Sequence, residues 1–191
     1  MAETKESPKR FSLLKKILLG IVGVLLVFAG VVALQPAEFR IVRSAKISAP
    51  APAIFAHVND FHKWEAWSPW EKRDPAMKKT FEGPGAGTGA IYSWAGNDEV
   101  GEGRMTLTES RPAELIRIRL DFLKPFASTS TTELAFKQEG SVTDVSWSMS
   151  GRKDFMSKAF CMFMNMDKMV GTDFEKGLAQ LKTAAETPAG K

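Results

Sequence analysis

Cysteine and histidine are both scarce, with one Cys and two His in 191 residues. A single thiol excludes an intramolecular disulfide framework and any zinc site built on two or more thiolates. Two imidazoles leave little material for a metal cluster, and no cofactor motif is present. His57 and His62 are five apart without regularly spaced carboxylates, which is weak grounds for a metal pair. Gly83, Gly85, Gly87 and Gly89 alternate, but no Gly-Lys-Ser/Thr follows. They read as a wide turn, with no phosphate cradle. No Ser/His/Asp or Cys/His arrangement is visible either. The apolar fraction of 44% and charged fraction of 25% are those of a globular chain. The length suits one domain with a small appendage.

The net charge is +4, a value that invites an anionic partner such as nucleic acid or a membrane. Its position along the chain decides. Lys5, Lys9, Arg10, Lys15 and Lys16 stand against Glu3 and Glu6 in residues 1–16, a net of +3. After residue 35 there are 21 basic and 20 acidic side chains, a net of +1. The basicity flanks one segment, and a nucleic-acid partner is not expected.

That segment is 17–34, eighteen residues without a charged or strongly polar side chain. As a helix it would be about 27 Å long, near the hydrocarbon thickness of a bilayer. Three readings are open: a retained single-pass anchor, a signal peptide cleaved near Val31-Val32-Ala33, or a buried soluble helix. The length favours the anchor, since the apolar part of a signal peptide spans roughly 7–15 residues. The positive-inside rule then puts the basic tail, 1–16, in the cytoplasm and the remaining chain on the far side.

Beyond the anchor the hydrophobic period changes. Residues 38–48 read as an imperfect strand, with Phe39, Ile41 and Ala45 against Arg40, Arg43 and Lys46. Ala49-Pro50-Ala51-Pro52 breaks it, and two short helices are predicted, one carrying Ile54, Phe55 and Val58 and one over 61–67. Strands are predicted at 77–82, 89–95, 101–110, 115–123, 128–137 and 143–150, separated by Gly, Pro and Asn turns. Ile116, Ile118, Leu120 and Phe122 alternate with Arg117, Arg119 and Asp121, as do Val145, Trp147 and Met149 with polar neighbours. A sheet with one buried face follows. From 155 to 185 a helical stripe of Ala159, Phe163, Met166, Val170, Phe174, Gly177 and Leu181 predicts one long amphipathic helix. Its apolar face needs the inner side of the sheet. A flexible tail is expected over 186–191.

Ile47-Ser48-Ala49-Pro50, Ile54-Phe55, Val58-Asn59-Asp60, Trp64 and Trp67-Ser68-Pro69-Trp70 form a recognisable opening. They are followed by Gly87-x-Gly89-Ala90-x-Tyr92-x-Trp94, Gly101-x-Gly103 and Val145-x-Trp147. Over 38–185 the chain resembles the START-like, polyketide-cyclase/dehydrase-like superfamily. The resemblance implies an α+β helix-grip fold: an antiparallel sheet of about seven strands curved around a long C-terminal helix. It implies a hydrophobic small molecule or lipid as ligand, without specifying an activity. A membrane-anchored member of this kind resembles a bacterial subgroup. The anchor would then sit in an inner membrane, with the domain periplasmic or extracellular.

A cavity between sheet and helix is the expected site. Trp67, Trp70, Tyr92, Trp94, Phe122, Trp147 and Met149 are its candidate walls, with Met162 and Met166 from the terminal helix. Met156, Met162, Met164, Met166 and Met169 cluster there, and flexible thioethers suit an adaptable wall as well as an ordinary core. Glu102 and Arg104 share a strand face and are candidate polar groups for the cavity; a solvated cross-strand pairing is the other reading. A cyclase or dehydratase would draw its acid or base from Glu102, Arg104, Tyr92 and His57. A third class is a structural or partner-binding module without a functional pocket. Trp67 and Trp70 could also rest at a lipid interface. Cys161 reads as a small buried hydrophobe before it reads as a nucleophile.

Overall fold

The computed structural model describes residues 8–187. Residues 1–7 of the expected basic tail and 188–191 of the expected C-terminal tail therefore fall outside the described residues. Two compact units are present, residues 1–37 with 153–164, and residues 38–152 with 165–191.

The first unit contains helix α1 (Pro8–Leu34) and a short helix α3 (Phe155–Cys161). Leu13–Leu34 is long and apolar enough to cross a membrane, and only 6% of it is buried.

The second unit is a seven-stranded antiparallel sheet with a helix on one face. Strands β1 (Glu38–Ile47), β2 (Lys78–Glu82), β3 (Ile91–Ala95), β4 (Glu102–Arg111), β5 (Leu115–Lys124), β6 (Ser128–Glu139) and β7 (Val142–Arg152) are ordered β1-β7-β6-β5-β4-β3-β2. Helix α2 (Ala51–Val58) and a 3₁₀ turn (Phe61–Ala66) link β1 to β2, and α4 (Met166–Glu186) closes the chain. The result is the expected helix-grip fold.

Local chemistry accounts for most of these elements. Pro50 and Pro52 open α2, where proline lacks no needed N–H, and Ala51, Ile54, Phe55 and Val58 turn inward. The Asp60 carboxylate accepts from the His62 amide at 2.9 Å and starts the 3₁₀ turn. Residues 116, 118, 134, 145 and 147 are buried, as strict alternation on β5, β6 and β7 requires.

β1 alternates poorly for a reason visible only in three dimensions. Arg43 stands opposite Trp147 on the helix-facing side. Its guanidinium reaches α4 and donates to Glu175 at 2.7 Å and to Asp167 at 3.0 Å. These bonds, the one to Asp167 foremost, push the Arg43 pKa above its ordinary value. Gly171 leaves room for it, since a Cβ there would collide with the guanidinium.

The long terminal helix is interrupted. The chain turns at 162–165, and the Asn165 side chain accepts from the Lys168 amide at 2.9 Å, capping α4 afresh. Only Gly171, Phe174, Gly177, Leu178 and Leu181 of α4 are buried. The upstream part of the predicted stripe is not: Phe163 is exposed, as are Met156, Met162, Met164 and Met169.

Candidate functional site

The aromatic residues of the second unit form two groups with different tasks. Trp64, Trp67, Trp147 and Phe174 fill the core. The Trp147 and Phe174 rings stack with centroids 4.2 Å apart and planes 6° from parallel. Trp67 meets Trp147 edge-on at 5.5 Å and Trp64 at 4.7 Å. Gly177 permits this close approach, because a Cβ there would lie 2.6 Å from the Trp147 ring. Each buried indole N–H is satisfied: Trp64 donates to Val58 O, Trp67 to His57 O, and Trp147 to Thr132 Oγ1.

The second group leaves space. Trp70, Tyr92, Trp94, Phe122, Met149, Met105 and Leu120 surround a cavity of about 170 Å³, bordered also by Trp147 of β7 and by Val170 and Phe174 of α4. Trp94 is fixed by its N–H to Val100 O at 2.9 Å. It lies across Gly103 of β4, where any side chain would strike the indole. The volume decides what fits. An apolar cavity of roughly 150 Å³ holds benzene, so this one suits a compact ring system or one chain end.

Ser68, Thr132 and the exposed Glu99 also line the cavity, and its buried carboxylate is Glu71. Glu71, with its side chain 7% exposed, faces the cavity. Tyr92 Oη donates to Glu71 Oε1 at 3.0 Å, and Lys79 Nζ pairs with Glu71 Oε2. Lys79 reaches inward because it stands opposite Trp94 in the β2–β3 pairing. A carboxylate offers about four acceptor positions. Two are used here, and a ligand donor can take another.

Burial, and then the negative charge of Glu71, push the Tyr92 phenol far above its ordinary value of 10.0. The raised folded-state value means that this group's share of stability is intact below about pH 10, the unfolded value, and is lost above it. Tyr92 is the sole tyrosine, so tyrosinate absorbance reports on it alone. The folded chain should show no ionisation up to about pH 11, with the signal arriving only on unfolding. A titration centred near 10.0 with near-ultraviolet dichroism intact would contradict this placement.

The structure sorts the sequence-predicted residues unevenly. It brings Trp70, Tyr92, Trp94, Phe122, Trp147 and Met149 to the cavity. Trp67 is fully buried behind it, which also removes it from any lipid interface. Met166 packs against the core, and Met162 belongs to the first unit. Glu102 and Arg104 point the other way: Lys124 Nζ donates to Glu102 at 2.6 Å, and Arg104 donates to Glu82 at 3.2 Å. They are the solvated cross-strand pairs of the alternative reading. The β4 parity explains it, since Gly103, Met105 and Leu107 take the inner face. His57 is also outside the lining. Its Nδ1 is buried without a partner, and burial followed by the charge of Lys63 lowers its pKa. His62 stacks on Phe81 and pairs with Asp60. Glu71 was not among the predicted polar groups. It follows Trp70 in an irregular segment, where no period reports which way a side chain faces.

Residues 38–186 match the family described as "Polyketide cyclase / dehydrase and lipid transport". The chain belongs to this family. Membership makes the second unit a hydrophobic-ligand-binding or cyclase-type domain. No curated protein sequence matches the chain. Solved structures of the same fold include a protein of Chromobacterium violaceum, 16% identical, with a TM-score of 0.56 over 80% of this chain and 99% of that one. The Aha1 dimer of Colwellia psychrerythraea is 15% identical, with a TM-score of 0.56 over 80% and 99%. The di-domain ARO/CYC protein BexL of the BE-7585A biosynthetic pathway is 15% identical, with a TM-score of 0.57 over 82% of this chain and 52% of that one. At these identities the likeness is one of fold.

Proposed function

We propose that the chain is a single-pass, membrane-anchored binding protein for a small hydrophobic molecule that carries one hydrogen-bond donor. The observation that carries this reading is the cavity: aromatic and aliphatic walls around one buried carboxylate, Glu71. Apolar burial supplies the affinity, about 25 cal/mol for each Å² before the cost of immobilising the ligand. Glu71 supplies orientation. A cavity this small favours a one- or two-ring compound, or the end of a single acyl chain, over a whole lipid. Helix α1 supplies the anchor in this reading, with its basic flank in the cytoplasm and the domain on the far side of a bacterial inner membrane.

Native mass spectrometry and organic extraction of the detergent-purified full chain test for a retained ligand. Calorimetric titration with naphthalene and 2-naphthol tests the buried carboxylate. The naphthol should bind about tenfold more tightly, the value of one hydrogen bond to a charged acceptor. Glu71→Gln should erase most of that preference while leaving naphthalene binding in place. A chain that takes up neither probe and yields no ligand on extraction is not a binding protein of this kind.

A cyclase-type reaction is the second reading, favoured by the Tyr92–Glu71 contact inside the cavity. Turnover of a polyketide-like substrate that disappears in Glu71→Gln would establish it in place of simple binding.

A further inference from the structure

Residues 155–164 carry eight apolar side chains and a single charge, Lys158. Such a segment is normally buried in a core. No residue of α3 is buried, however: Phe155 is 48% exposed, Met156 67% and Phe160 54%. In the turn that follows, Phe163 is 78% exposed, and Met162 and Met164 are exposed as well. Soluble surfaces rarely concentrate apolar groups in this way unless something covers them.

The segment shares its compact unit with α1, and two contacts fix its level along that helix. Lys158 Nζ donates to the carbonyl of Ala33 at 3.1 Å. Ala33 is in the last turn of α1, where carbonyls lack intrahelical partners and a cation is favoured. The last turn of α1 contains no basic residue of its own. Phe163 meets Phe28 with ring centroids 6.3 Å apart. Phe28 precedes the helix end at Leu34 by six residues, about 9 Å along the axis. Lys158 is thus level with the end of α1, and Phe163 lies about 9 Å down its length. Interfacial segments bury their apolar faces about 5–10 Å into a leaflet.

We infer that residues 155–164 form a second membrane contact, an interfacial segment seated in the phospholipid leaflet around the C-terminal end of α1. Lys158 lies at headgroup level, with Phe160 and Phe163 among the acyl chains. Lys153, just upstream in the same unit, adds positive charge for anionic headgroups. Asp154 is committed to capping α3, accepting from the Ser157 amide at 2.7 Å. The inference rests on α1 spanning the bilayer and adds a contact that the anchor alone does not require.

The test uses the full chain in vesicles of phosphatidylcholine with a minority of phosphatidylglycerol. An environment-sensitive NBD fluorophore is attached at Phe163→Cys in a Cys161→Ser background, and separately at Met156→Cys. Lys137→Cys, on a side chain 79% exposed in the second unit, is the control. At 163 and 156 the emission should shift to the blue, shallow doxyl lipids should quench it, and iodide should quench it several-fold less than at 137. Iodide quenching equal to that at 137 overturns the inference. So does a blue shift without doxyl quenching, which would mean that protein covers the segment. Alkaline carbonate extraction separates the two readings. Release from the vesicles removes the spanning helix and this inference together, whereas retention with iodide-accessible labels removes this inference alone.

Discussion

Trp147→Ala should lower the melting temperature of the full chain by about 10 °C and its unfolding free energy by about 3–5 kcal/mol. Trp147 is 2% exposed and makes three aromatic contacts, with Phe174 at 4.2 Å, Trp67 at 5.5 Å and Trp70 at 5.8 Å. Its N–H also satisfies Thr132 Oγ1 at 2.9 Å. Truncation removes the ring that joins β7 to α4 and leaves a void that rigid neighbours cannot refill. Domain stabilities are about 5–15 kcal/mol, so the loss is a large share of the total. Trp147→Phe keeps the stack and loses the hydrogen bond, and should cost about 1 kcal/mol beyond any change in packing. Urea unfolding followed by near-ultraviolet dichroism distinguishes the two. Equal, small losses in both variants would mean that the Trp147–Phe174 stack does not hold the helix to the sheet.

Val170→Trp should abolish probe binding, with at least a tenfold loss of naphthol affinity, and leave the fold at least as stable. Val170 lines the cavity from α4, where an indole in place of an isopropyl group occupies much of the 170 Å³. Filling an existing void adds dispersion contacts, in contrast to overpacking a filled core, which costs about 1–3 kcal/mol. Calorimetry measures the binding, and thermal unfolding the stability. Undiminished naphthol binding in a folded Val170→Trp chain would show that the ligand occupies another place. A fall in both affinity and stability would show that the side chain has displaced α4 and has not plugged the cavity.

These two sites differ in how far they could be read from the sequence. Trp147 and its inward face were legible, because strand alternation is local and Val145, Trp147 and Met149 repeat it without a break. The same parity on β4 places Met105 and Leu107 inward, and so turns Glu102 and Arg104 outward; that signal was present in the sequence. No such signal existed for Glu71. The segment between the 3₁₀ turn and β2 has no period, and its orientation comes from contacts with Tyr92 and Lys79 on β3 and β2.

The methionine cluster is the sharper example. Spacings of three and four across 155–185 describe one amphipathic helix, and they are the same whether or not the chain turns at Asn165. The cap at Asn165 separates the two halves, so Phe174, Gly177 and Leu181 join the core while Phe160 and Phe163 stay outside it. Hydrophobic pattern states that a face needs cover, without naming the cover.

The sequence by itself determined the apolar segment and its charged flank, the antiparallel sheet, the helix that follows and the family. All of these rest on short-range periodicity, on turn residues or on motifs contiguous in the chain. Only the tertiary structure decided that Trp67 fills the core while Trp70 and Trp94 border a space, that the space is about 170 Å³, and that Glu71 is its buried carboxylate. Those facts depend on the separation between β3–β5 and α4, which no local pattern encodes.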